Sequence, residues 1–410
     1  MEDVAITGMG VVSPFGTGLD PFLEGMLAGK VTIERGERGS LRSVVPDFDP
    51  AGVLDPKVLE GTEGFAQFAV VAAAECVKAS GLERLDPRKT AIVHGTSMGG
   101  SGALLRAQHR LETSGPDAID PKIMIQMWPN MAAAQIAIKW DLHGPQITLC
   151  HACASSIDAI GLAARMIWRG EVDVALTGGT EGGSRPKVDG LDDNFVPATM
   201  YAGTRYKMSS VQRDPLRASL PFDKDRSGIV GAEGSVMFVL ERGDRARARG
   251  AEVLAYVRGH GSLADGYHPS SPEPTGRWER QVMEDALLDA GLGPDDIDAI
   301  VAHATGTPAG DTAEIRALNG LFSTRGRTLS AMSIKGTVGH TGAASGGMGV
   351  AVAVNAMQQG VFPPTMGTQN LDPEIEFNVV LQESIELRPR AVQLNAFGFG
   401  GQDASLVVSS

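Results

Sequence analysis

The chain has 410 residues, with 49 acidic against 36 basic side chains and a net charge of −13. That balance argues against a general binder of nucleic acid or anionic membrane surfaces. A 42% hydrophobic share with 21% charged residues describes a soluble globular protein with a large core, and the length allows two or three domains. Glycine is the outlier: 52 residues, nearly twice the roughly 7% average, beside only 4 Trp, 4 Tyr and 13 Phe. Tight turns and closely packed backbones are expected.

The N-terminus, Met1-Glu2-Asp3, is acidic and lacks the basic start of a signal peptide. No run of about 18 apolar residues is present, so no membrane span is expected. Three cysteines exclude a disulfide framework and point to a reducing cytoplasm.

The first apolar strand covers Val4 to Ile6. A helical pattern closes at Ala79-Ser80-Gly81-Leu82, followed by Asp86-Pro87 and the strand Ala91-Ile92-Val93 with His94 and Thr96 at its end. Another strand, Gln146 to Leu149, runs into Cys150-His151-Ala152-Cys153 and a helix from about Ser155 to Trp168. A long insertion rich in Gly, Ser, Arg and Asp spans 181–228, and loops of that length are usually functional. After the charged run Glu241 to Arg249 the order repeats. Asp289-Ala290-Gly291-Leu292 closes a helix, Asp295-Asp296 follows, and a strand from Ala299 ends in His303 and Thr305. His340 then precedes a Gly/Ala-rich helix from about Ser345 to Met357. Two echoes in one order predict a duplicated α/β chain, with halves of 1–250 and 251–410.

The strongest chemical feature is Cys153. A cysteine between a strand and a helix sits at the helix's positive end, where free N–H groups favour the thiolate. Cys150 and Cys153 form a CxxC pair, but a duplicated chain of this size is not a thioredoxin-like setting. A zinc site needs two more close ligands, and no second cysteine cluster exists. Cys150 and Cys76 read as small packed hydrophobes. Three further segments carry chemistry: His303 to Asp311 with Glu314, Lys335-Gly336-Thr337-Val338-Gly339-His340, and Phe397-Gly398-Phe399-Gly400-Gly401. The last reads as a flexible loop offering backbone N–H donors. One Cys, two His, one Lys and a Gly-rich donor loop imply covalent thiol catalysis, with the histidines donating to a developing oxyanion or enolate.

On these motifs the chain resembles the β-ketoacyl-acyl carrier protein synthases, elongating condensing enzymes of the thiolase superfamily. The likeness runs from Val4-Ala5-Ile6-Thr7-Gly8-Met9-Gly10 to the Gly-Phe-Gly-Gly loop. It implies a duplicated five-layer α/β/α/β/α sandwich. It places the nucleophile on Cys153, the histidines on His303 and His340, the lysine on Lys335 and its glutamate on Glu314. Asp311 supports the site, and Phe399 is the gating phenylalanine. The oxyanion hole falls on the backbone N–H groups of Cys153 and Phe399.

The implied reaction is decarboxylative Claisen condensation of a Cys-bound acyl group with a malonyl-carrier thioester, in fatty-acid or type II polyketide synthesis, without cofactor or metal. The implied partners are acyl carrier protein and either a second copy or a ketosynthase-like chain-length subunit. The alternatives are a non-decarboxylating acyltransferase and a non-catalytic chain-length subunit, the latter opposed by Cys153. Departures from the family pattern are His151 in place of Thr, Gln402-Asp403 after the glycines, and Thr62-Glu63-Gly64-Phe65 in an early helix. An acidic carrier needs a local basic patch, for which Arg205, Lys207, Arg213 and Arg217 are the candidates. Met124, Met127 and Met131 are expected in the core, with a pocket wall as their other role.

Overall fold

The computed structural model describes residues 3–36, 40–182, 202–203, 205–323, 326 and 328–410. Much of the 181–228 insertion, residues 183–201 and 204, lies outside the described residues. The strands alternate with period two, and the alternation dictates the architecture. In Gly234–Arg242, Val236, Phe238 and Leu240 face one apolar cluster while Met237 and Val239 face another. In Gln402–Ser409, Leu406 and Val408 join the first cluster and Val407 joins a third. A strand that is apolar on both faces must be covered on both.

Helices provide the covers. Gly64–Ala79 and Met131–Trp140 pack outside the first half, Arg277–Ala290 and Pro308–Phe322 outside the second. Between the halves lie Ser155–Trp168 and Ser345–Gln359, in a cluster to which strands of both halves contribute. The five-layer α/β/α/β/α sandwich is therefore the observed fold.

The duplication is written in the strand order. Outward from the centre, the first half runs Val4–Ser13, Gly234–Arg242, Val174–Glu181, Thr90–Gly95 and Gln146–Leu149. The second runs Ala255–Ala264, Gln402–Ser409, Ala391–Gly398, Ala299–Val301 and Ser330–Met332, with Asn378–Val379 beyond. In both, the inner two pairings are antiparallel and the outer two parallel. Register shifts fall at matching points, Ile6/Gly8 and Val257/Gly259. The halves join where Val4, Ala5 and Ile6 pair antiparallel with Val257, Tyr256 and Ala255.

Contact between the central helices depends on missing side chains. A Cβ on Gly346 would come within 2.5 Å of Ile157 Cγ1, and one on Gly347 within 2.6 Å of Val236 Cγ1. The Gly347 N–H donates to Ser156 Oγ at 2.9 Å, tying one helix to the other. Each helix is entered through a 3-10 turn, Ala152–Ala154 and Gly342–Ala344, and the two turns pack together. That packing sets residue 153 beside residue 340.

Gly347→Val forces a branched side chain into this seam. It should destabilise the fold by about 1–3 kcal/mol, as overpacking does in dense cores. Urea unfolding should show a lowered midpoint, and an unchanged midpoint would contradict the close approach.

Candidate active site

Cys153 lies where the strand Gln146–Leu149 gives way to the helix Ser155–Trp168. Ala152 before it has φ +46°, in the left-handed region that L-residues disfavour. His340 Nε2 is 3.0 Å from Cys153 Sγ. The His340 backbone is fixed on both sides, its N–H donating to Val230 O at 2.8 Å and its carbonyl accepting from Ala232 N at 2.9 Å. His303 follows the strand Ala299–Val301, and its ring meets that of His340 edge-on with centroids 5.6 Å apart. One ligand atom from each of Cys153, His303 and His340 falls within a 4.8 Å group. Three segments far apart in sequence thus converge on one point.

Glu314, on the helix Pro308–Phe322, shapes the His303 loop. It accepts from His303 N at 2.8 Å, Ala304 N at 2.6 Å and Asn395 Nδ2 at 3.2 Å. Asp311 accepts from Gly306 N at 3.0 Å and Phe222 N at 2.8 Å. Both carboxylates therefore brace backbone. Lys335, in the single turn Lys335–Val338, is buried and acts on its neighbours through its charge. The Phe397–Gly401 segment is a tight turn between paired strands, with Gly400 and Gly401 at φ +92° and +73°, which side chains would strain. The expected flexible loop is thus a hairpin turn. The Gly400 N–H is held by Pro269 O at 2.8 Å, and the Phe399 N–H is aimed at the Cys153 sulfur. Phe399, 40% exposed, lines a cavity of about 290 Å³ that also touches Cys153, His303, His340, Phe397 and Lys207.

The electrostatics correct one expectation. Burial pushes the Cys153 thiol up to about 11; the charge of Lys335 opposes this and Glu181 reinforces it. The helix terminus does not leave a low-pKa thiol, because desolvation of the anion outweighs the stabilising field. Burial pushes His340 down to about 3 and His303 well below the imidazole range, with Lys335 adding to both. Burial also brings Lys335 down to about 8, against the pull of Glu314, Cys153 and Asp311. The resting site therefore holds a neutral thiol facing two neutral imidazoles.

Other expectations meet mixed outcomes. Cys76 is buried as expected, but Cys150 is exposed, not packed. Met124 is 62% exposed, so it is no core residue; Met131 packs against the outer core of the first half. Arg205, Lys207 and Arg213 are exposed, whereas Arg217 turns inward, with Nη2 3.7 Å from the buried Asp223 and Nη1 donating to Gln369. His94, the first half's echo of His303, is wholly buried with both ring nitrogens unpartnered and is not among the residues lining the cavity.

Sequence reasoning missed Glu181, whose carboxylate accepts from the N–H groups of Ser97 and Met98 at 3.1 and 3.0 Å and from Ala343 N at 3.3 Å, bridging the halves behind Cys153. Its one signal was an acid ending an apolar strand just before the insertion. Also missed was Asp158, whose carboxylate lies between His151 and His260.

Comparison with known proteins decides the family. Residues 1–246 match the beta-ketoacyl synthase N-terminal domain and residues 254–369 its C-terminal domain. The chain belongs to the beta-ketoacyl synthase family. It is 35% identical to 3-oxoacyl-[acyl-carrier-protein] synthase 2 of Coxiella burnetii, covering 99% of this chain and 98% of that one. The Synechocystis synthase of the same name is 32% identical, covering 98% and 97%. Among solved structures, the ishigamide ketosynthase/chain length factor aligns with TM-score 0.90 at 30% identity, over 100% of this chain and 99% of that one. A beta-ketoacyl synthase from Burkholderia phymatum aligns with TM-score 0.88 at 29% identity, with the same coverage.

The neutral site makes a pH prediction. The thiol ionises only towards pH 11, so iodoacetamide alkylation of Cys153 should keep accelerating with pH above 8. Below pH 8, where Lys335 still carries its proton, Lys335→Met should slow it several-fold by removing the opposing cation. A rate plateau from about pH 6, the mark of a thiolate–imidazolium pair, would contradict this account.

Proposed function

We propose that this beta-ketoacyl synthase condenses an acyl group held on Cys153 with a malonyl-acyl carrier protein thioester, with loss of CO2. The observation that carries this reading is Cys153 Sγ set 3.0 Å from His340 Nε2, with His303 beside it and the Phe399 N–H aimed at the sulfur. In the first half-reaction the Cys153 sulfur adds to the acyl thioester carbonyl and the carrier thiol leaves with the Cys153 proton. The amide N–H groups of Cys153 and Phe399 receive the transient oxyanion; one such donor typically contributes about 3–4 kcal/mol.

In the second, the malonyl C–CO2 bond breaks and its electron pair becomes an enolate. His303 and His340 donate to the enolate oxygen. Neutral imidazoles suit this task, since each keeps an N–H to donate without needing a proton from solvent. The enolate carbon then forms the C–C bond at the acyl carbonyl, the C–S bond breaks, and Cys153 regains a proton. These steps need no cofactor or metal. Lys335, held near Glu314 and Asp311, supplies positive charge that steadies both the thiolate and the neutral imidazoles.

The partners follow from this reading. Acyl carrier protein delivers both thioesters, and a second copy or a related chain-length subunit completes a dimer. Among the described residues the strand Gln146–Leu149 ends the sheet, and this edge with the 68% exposed Ile138 on the neighbouring helix supports such a contact. The three free cysteines support a cytoplasmic location. Among the described residues no helix is long and apolar enough to cross a membrane. The matched segments, ending at 246 and restarting at 254, support a division of the chain into 1–250 and 251–410.

Two experiments test the reading. His303→Ala and His340→Ala should each cut malonyl decarboxylation by two or more orders of magnitude while acyl loading falls less; wild-type decarboxylation in either would refute the enolate role. For docking, Lys207 is an exposed residue of the cavity lining, and Arg205, two positions before it, is exposed as well. Arg205→Glu with Lys207→Glu should lower kcat/KM for carrier-bound substrate about tenfold at low salt and leave a small thioester mimic unaffected. Equal losses for both substrates would remove these residues from the docking surface.

A further inference from the structure

We propose that His151, Asp158 and His260 form a relay of positioning residues that sets the Cys153 turn for nucleophilic attack. The inference rests on Cys153 being the acyl acceptor. His151 Nδ1 lies 2.7 Å from Asp158 Oδ2, and Asp158 Oδ1 lies 2.9 Å from His260 Nε2. Asp158 and His260 are buried, with side-chain exposures of 6% and 7%. Burial alone would raise the Asp158 carboxyl, but hydrogen bonds from His260, His151 and Ser262 hold it below the usual range. A carboxylate can only accept, so both imidazoles donate to it.

The relay joins the two halves of the chain. His260 belongs to the strand Ala255–Ala264, whose backbone is pinned there: its N–H donates to Asp289 Oδ2 at 2.9 Å and its carbonyl accepts from Arg165 Nη2 at 2.8 Å. The ring fits only because residue 161 is glycine, whose added Cβ would lie 2.2 Å from His260 Cγ. Arg165 and Asp289, 3.8 Å apart, are the other charges packed at this point.

At its other end the relay grips the turn before the nucleophile. Ala152 holds its φ of +46° between two fixed residues. Ser155 Oγ accepts from His151 N at 2.9 Å and donates to Ala152 O at 2.7 Å, and Ala154 N donates to His151 O at 3.0 Å. The His151 side chain adds an anchor one turn into the helix, at Asp158. It also resolves an electrostatic conflict. Asp158 lies in the first turn of Ser155–Trp168, where a free carboxylate would compete with a Cys153 thiolate for the positive helix end. Two imidazole N–H groups, one on each carboxylate oxygen, spread that charge.

Side-chain isosteres separate positioning from mere packing. Asn at 151 places an amide N–H near the place of Nδ1, and Gln at 260 places one near Nε2. His151→Leu should slow both iodoacetamide alkylation of Cys153, measured in a Cys150→Ser background because both cysteines fall on one peptide, and acyl loading about tenfold. Its KM for malonyl thioester and its decarboxylation rate should stay within twofold of wild type. His151→Asn and His260→Gln should recover most of the alkylation rate, and His151→Leu should add no further loss to Asp158→Ala. Wild-type alkylation in His151→Leu, an Asn variant as slow as the Leu variant, or decarboxylation falling in parallel would overturn the relay. Alkylation needs no condensation, so a chain that alkylates as expected yet does not condense would refute the proposed function and leave the relay standing.

Discussion

The Cys153–His340 contact crosses a seam between two buried helices whose N-terminal turns touch. The seam is narrow because Gly346 and Gly347 present backbone where other residues would present side chains. With that spacing the turn carrying Cys153, from the first half, meets His340, from the second, at hydrogen-bonding distance. Glu181 reinforces the arrangement by receiving amide donors from both halves. The duplicated sandwich thus brings two equivalent helix entrances together, one carrying a thiol and the other an imidazole.

Desolvation then governs the chemistry. In this cavity it suppresses the thiolate and both imidazolium ions, and Lys335 is the charge set against the first of these effects. Charge is consequently low in the resting site and appears as the reaction proceeds, first on sulfur and the acyl oxygen, then on the enolate. Donors already fixed in a dry site meet that charge without reorganisation, which is where preorganised electrostatics are most effective. Backbone rigidity serves the same end: Glu314 and Asp311 are committed to amide groups of the His303 loop, so the imidazole has little freedom to drift.

Features carried by local pattern could be read in the sequence. The strand-to-helix turn at Cys153 and the repeated helix, acidic loop and strand pointed to a duplicated α/β chain, and the motifs of the family resemblance picked out Cys153, His303 and His340, which the fold brings together. Features set by three-dimensional balance could not. The raised Cys153 pKa depends on how much water the packed halves exclude, which no spacing encodes. The inward turn of Arg217 depends on Asp223, and the exposure of Cys150 depends on the sheet ending at Gln146–Leu149. His94 shows the limit of repeat reasoning, since the echo of His303 is a wholly buried strand residue that does not line the cavity. His151 stood out only as a departure from the family pattern; its partner His260 lies 109 positions away and carries no local signal.

The central claim is that Cys153 holds the acyl group while the enolate forms opposite His303 and His340. The most direct measurement is a single turnover of acylated enzyme with malonyl-acyl carrier protein labelled with 13C in the free carboxylate. The account predicts one equivalent of labelled CO2 and one of unlabelled 3-oxoacyl thioester per acylated Cys153. Label retained in the product, or product formed at the wild-type rate by Cys153→Ala, would contradict it.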